Sequence, residues 1–160
     1  MLTTKTILKT ALLVGTLDIT AAFIQVYLQT DKSPFKPILI YIAGGLFGKN
    51  SGLSETAMIV VGLLLHYVIA ASFTVFFFLT MAKLQATIRY PLLIGILYGL
   101  FIWAVMNIFI LPISNTRPFV FNAWKNALAA SILIVCIGIP LAFIAAKTAK
   151  PKPFANYRIE

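Results

Sequence analysis

Apolar residues run along this chain in four long stretches separated by short polar connections. A spanning helix needs about 20 mostly apolar residues. Ile7–Leu28, Ala57–Leu79, Pro91–Ile113 and Ala123–Ala146 each meet that length. A fifth apolar stretch, Pro37–Gly48, is too short to cross and predicts an interfacial or re-entrant helix. Pro34 and Pro37 start it, and Gly48 can end it. Pro91 suits the first turn of the third span, where its missing N–H costs nothing. Pro112 suits the end of that span, and Pro140 should kink the fourth. The pattern predicts an all-α integral membrane protein. It is a bundle of four transmembrane helices plus a short interfacial or re-entrant helix between the first and second spans. Residues 1–160 form one transmembrane domain, with a basic C-terminal tail over 147–160.

Within the spans, polar positions keep to faces. Ala11, Gly15, Asp18, Ala22, Gln25 and Gln29 recur at steps of three and four on one side of the first helix. That side is small at its start and polar at its end, so it should face the bundle. In the second span Gly62, His66 and Ala70 share a face. In the third, Gly95, Gly99, Trp103 and Asn107 follow at steps of four. In the fourth, Ala127, Ser131, Gly138 and Ala142 form a similar stripe. Helices in lipid associate through small residues and polar contacts, because lipid is as apolar as leucine. Gly15, Gly62, Gly95, Gly99 and Gly138 are therefore the expected packing positions. Phe73, Phe76, Phe77 and Phe78 read as lipid contacts or core.

Asp18 and His66 each stand near the middle of a span, at similar depth. Ionisable residues inside a bilayer are expensive and usually functional. Three arrangements remain open. The pair can hold two helices in register, it can bind a ligand or handle a proton, or the two can lie apart. A buried carboxyl and imidazole that meet can share a proton. Gln25, Gln29, Asn107 and Asn126 all fall in the outer halves of their spans. A pore would want polar lining from end to end. This distribution predicts a polar pocket open to the outer side, with Asp18 and His66 at its floor. The ligand- or proton-binding candidates are Asp18, His66, Asn107, Gln25, Gln29, Trp103 and Asn126.

Composition agrees with the spans. Hydrophobic residues make up 61% of the chain and charged residues only 11%, less than half of what a soluble domain carries. The formal charge of +9 would suggest nucleic acid in a soluble protein. Here the basic residues lie in loops and tails, where they anchor spans and meet anionic head groups, so no nucleic-acid partner is expected. Lys5, Lys9, Lys83, Arg89, Lys147, Lys150, Lys152 and Arg158 fall on one side; Lys32, Lys36, Lys49, Arg117 and Lys125 fall on the other. This bias predicts that both termini are cytoplasmic. Asp18 and the lack of a small-x-small cleavage site make the first stretch a retained span rather than a signal peptide.

Cys136 is the only cysteine and His66 the only histidine, so no intramolecular disulfide and no metal site is expected. There is no nucleophile elbow, no paired carboxylate set and no phosphate loop; Gly44-Gly45-Leu46-Phe47-Gly48 lacks the lysine and strand that a phosphate loop needs. The expectation is a protein that is not an enzyme and carries no cofactor. Its partners are the lipid bilayer and either further copies of itself or a larger membrane protein. A transport or ligand-binding protein and a structural or accessory subunit are the two function classes left.

Several short blocks carry a resemblance. They are Gly15-x-x-Asp18, Ile42-Ala43-Gly44-Gly45-Leu46-Phe47-Gly48, Gly62-Leu63-x-Leu65-His66-Tyr67-x-Ile69-Ala70 and Gly95-x-x-Tyr98-Gly99. Asn107, Leu111-Pro112-Ile113-Ser114 and Gly138-Ile139-Pro140 follow in the same order. Together they resemble the YagU-like proteins of the bacterial inner membrane, a family of unknown function. Leu65-His66-Tyr67 is the most specific block. Such proteins often carry a further histidine in the last span, and this chain has none. The resemblance implies a bacterial cytoplasmic-membrane location and a link to acid stress, and brings no substrate with it.

Overall fold

The computed structural model describes residues 3–48, 52–83, 90–115 and 122–148. Four helices are long and apolar enough to cross a membrane: α1 (Thr4–Thr30), α3 (Glu55–Lys83), α4 (Pro91–Ile113) and α5 (Ala123–Thr148). A shorter apolar helix, α2 (Phe35–Phe47), follows the first. The protein is a multi-pass helical bundle of the predicted class. Among the described residues there are no strands. Of the basic positions, Lys49, Arg89, Arg117 and the tail beyond Thr148 lie outside the described residues.

Local chemistry sets the helix ends. The Thr3 hydroxyl accepts from the Thr6 N–H at 3.2 Å, and the Ser54 and Asn122 side chains accept from Ala57 and Lys125 in the same way. The first helix stops at Asp31, whose left-handed backbone (φ 53°) turns its N–H back onto the Tyr27 carbonyl. Gly48 ends α2 at φ 73°, a conformation that favours glycine.

Pro112 stands at the end of the third span, as expected. It sits inside its last turn, and the helix runs on to Ile113. Residues Val105–Ile110 form wider π turns just before it, and Ile134–Gly138 do the same just before Pro140. In each case the proline ring lacks an N–H and crowds the carbonyl four residues back, Ile108 or Cys136. Those two carbonyls lie within the π turns, and widening the turn makes room for the ring. Pro140 thus perturbs its helix as expected, and Pro112 does so as well.

Around the bundle the neighbours run α3, α1, α5, α4. The glycines make the closest approaches. A Cβ on Gly95 would stand 2.7 Å from the Ile139 Cα, and one on Gly99 would stand 2.5 Å from the Ile134 Cα. A Cβ on Gly138 would meet the carbonyl oxygen of Gly95. These three glycines therefore let α4 and α5 touch backbone to backbone. Gly62 does the same for α2, against the carbonyl of Leu39. Consecutive helices α3 and α4, by contrast, are bridged through aromatic side chains. The Tyr98 hydroxyl donates to the Phe73 carbonyl at 2.6 Å, and its ring packs edge-on against Phe77.

The core fills the end of the bundle that carries the N-terminus and the α3–α4 connection. Val14, Phe77, Phe78, Leu141, Ala142 and Ala145 are buried there. The opposite end is covered by α2. Lys36 pairs with Glu55 at 2.6 Å, and the tail of α2 is held to the end of α4. There the Asn115 N–H donates to the Gly45 carbonyl at 3.0 Å, and its side-chain amide donates to the Leu46 carbonyl at 3.1 Å.

Candidate functional site

Two neighbouring contacts set the register of α1 on α3. Gly15 lacks a side chain, so Ala70 Cβ and the Tyr67 ring come within 3.1 Å of where its Cβ would be. At that distance His66 Nε2 reaches the Gly15 carbonyl oxygen at 2.8 Å. One residue along, the hydroxyls of Thr16 and Tyr67 share a hydrogen bond at 2.9 Å. A carbonyl only accepts, so Nε2 carries the proton and Nδ1 is the ring nitrogen left over.

Asp18 follows Gly15 by one turn and lies beside His66, close enough for electrostatic interaction. Among the described residues no direct ion pair or hydrogen bond joins the two; His66 Nε2 bonds to the Gly15 carbonyl instead. No described side chain or backbone N–H donates to the Asp18 carboxyl. Both residues instead line one cavity of about 510 Å³. It reaches from the middle of the bundle, at Asp18, His66 and Ile137, to the α2 end, at Leu46, Ile113 and Ser114.

The walls of this cavity are apolar. Of its lining residues only Asp18, His66, Tyr41 and Ser114 carry polar side-chain groups. The polar pocket expected from sequence is thus a largely apolar cavity whose ionisable groups, Asp18 and His66, stand together at its mid-bundle end. Met106 and Ile110 come from the π turns of α4, and Ile137 from those of α5. π turns recur at functional sites. Here they also have a geometric effect. A π turn takes more than four residues, so Ile102, Met106 and Ile110 stay on the cavity side at steps of four.

The other candidates fall elsewhere. Gln25 is half-buried, Gln29 is exposed in the last turn of α1, and neither lines the cavity. Trp103 and Asn107 do not line the cavity. The Asn107 amide donates to the Trp103 carbonyl of its own helix at 2.8 Å. The Trp103 indole N–H and the Asn126 amide are buried and find no hydrogen-bond partner among the described residues. In the stripe on α5, Gly138 and Ala142 are buried, whereas Ala127 and Ser131 are exposed. The π turns between the two pairs shift the register of the face. Gly15, Gly62, Gly95, Gly99 and Gly138 all stand at close helix contacts, with Gly62 serving α2.

Sequence reasoning missed Tyr41, Ile42, Ile69, Phe73 and Met106 as cavity residues, because apolar side chains look the same whether they face lipid, core or a hollow. The two prolines were the available signal for the π turns. Among the described residues, no three His, Cys, Asp or Glu side chains come together to hold a metal. No family model, curated protein or solved structure matches the chain.

Proposed function

We propose that this protein binds a proton or a small molecule in its intramembrane cavity, with Asp18 and His66 as the polar contacts. The carrying observation is the Asp18 carboxyl, which opens onto an apolar cavity and receives no protein hydrogen bond. A carboxyl in such surroundings is costly unless a proton or another group compensates it. The cavity volume of about 510 Å³ falls in the range of small-molecule sites, roughly 300–1,000 Å³. The packed core at the other end argues for a closed-ended site rather than a pore. The distribution of Lys and Arg supports cytoplasmic termini and hence an outward-facing α2. Reporters fused at residue 160 and within the Asp31–Asn50 connection should then report opposite faces. The resemblance to YagU-like proteins supports a bacterial inner membrane and a link to acid stress.

A second reading has its own observation. The His66–Gly15 hydrogen bond and the Thr16–Tyr67 pair lock α1 to α3, as a structural or accessory subunit would need. Native mass spectrometry of the full chain in mild detergent separates the two readings. The wild type should retain a small-molecule adduct. Ala22→Trp, which fills the cavity one turn from Asp18, should lose it, and Asp18→Asn should weaken it while the fold persists. Identical spectra for wild type and Ala22→Trp, with Asp18→Asn and His66→Gln only lowering thermal stability, would select the accessory reading.

A further inference from the structure

The cavity has a neighbour on the outside of the bundle. A second hollow of about 470 Å³ lies on the α3–α4 seam, bounded by Phe76, Phe101 and Val105. Ile69, Phe73 and Ile110 bound both spaces, so these three side chains are the wall between them. Phe76 and Phe101 stack with ring centroids 5.7 Å apart, and both are exposed on the apolar surface. Aromatic side chains, rather than close backbone contact, hold this seam together. Side chains can change rotamer far more readily than packed backbones can part. A molecule dissolved in lipid therefore has a route to Asp18 through movable side chains.

The polar end of the cavity defines what that molecule carries. Among the described residues no Lys or Arg lines the cavity. The Nε2–H of His66 is used by Gly15, and when the ring is neutral Nδ1 is the acceptor it still offers. The Asp18 oxygens are acceptors when ionised. Both groups therefore call for a donor, and the uncompensated carboxylate calls for a positive one. With Asp18 ionised, an anion would meet repulsion at this end, and a neutral alcohol would leave the charge unbalanced.

We infer that the ligand is a lipophilic amine that reaches the cavity from the lipid phase between α3 and α4. Its ammonium pairs with Asp18 and donates to His66 Nδ1, and its apolar body lies against Phe73, Ile102 and Ile137. This inference rests on reading the cavity as a ligand site and names the class of ligand.

The test uses the full chain in phosphatidylcholine nanodiscs, with empty nanodiscs as the partition background. Decylamine, decanol and decanoate are titrated in turn, so that one apolar body is offered with three head groups. Decylamine should bind saturably, at least tenfold tighter than decanol, and decanoate should not bind above background. Asp18→Asn should weaken decylamine at least tenfold. Ile110→Trp, which thickens the wall with Asp18 intact, should slow decylamine association several-fold while both variants keep the wild-type helical signal. Decanol or decanoate binding as tightly as decylamine would overturn the inference and leave the ligand site standing. So would decylamine binding that ignores Asp18→Asn, or association unchanged in Ile110→Trp. Absence of saturable binding for all three probes would remove both the inference and the site.

Discussion

At the end of the bundle that carries the N-terminus, Val14, Phe77, Phe78 and Leu141 are each no more than 2% exposed and fill the space between helices. At the α2 end the same four long helices enclose a cavity. Both ends are apolar, so composition does not separate them. Their difference is geometric. Near the solid end α4 and α5 meet through Gly95 and Gly138, and rings of Phe77 and Tyr98 close the α3–α4 gap. Toward the α2 end α4 passes through its own π turns, and the short helix α2 covers the space instead of filling it. Apolar side chains pack a core only when backbones come close enough. The lesson is that backbone approach, set by glycines and prolines, decides which part of an apolar bundle is solid.

The largest effect should come from Gly138→Leu. Its side chain would collide with the Gly95 carbonyl, and a carbonyl in a packed helix cannot move aside. The yield of folded protein in detergent should collapse, while Phe76→Leu, on the exposed surface, should behave as wild type. Equal yields would mean that α4 and α5 are not joined there.

Truncations should sharpen the contrast between the ends. Phe77→Ala removes a ring from the closed core and should cost about 3 to 5 kcal/mol. Ile69→Ala, beside existing space, should cost about 2 kcal/mol or less. Thermal or chemical unfolding in one detergent measures both. If the two losses were the same, the α2 end would be as tightly packed as the other.

The smallest effect concerns the cover of the cavity. Asn115→Ala removes the side-chain bond to the Leu46 carbonyl but keeps the backbone bond to Gly45. The expected cost is about 0.5 to 1.5 kcal/mol. Hydrogen exchange should rise in the last turn of α2 and stay unchanged around Phe77. Unchanged exchange in α2 would show that Gly62 and Leu39 hold it without help.

The sequence by itself determined the four spans, the short helix and their bounds to within a few residues. A run of about 20 apolar residues has one stable arrangement in lipid, and the glycines marked where helices meet. It also singled out Asp18 and His66, because a charge at mid-membrane is rare. Only the tertiary structure decided what each face meets. Trp103 and Asn107 fit the expected stripe on paper, yet Ile102 and Met106, one position earlier, are what line the cavity where the helix enters its π turns. Pro112 and Pro140 imposed those turns, through a clash with a carbonyl four residues back. The hydrogen bond from His66 to Gly15 likewise depended on how closely α1 approaches α3. Depth along a helix is written in one dimension. Rotation about its axis depends on its neighbours, and the cavity is a product of that rotation.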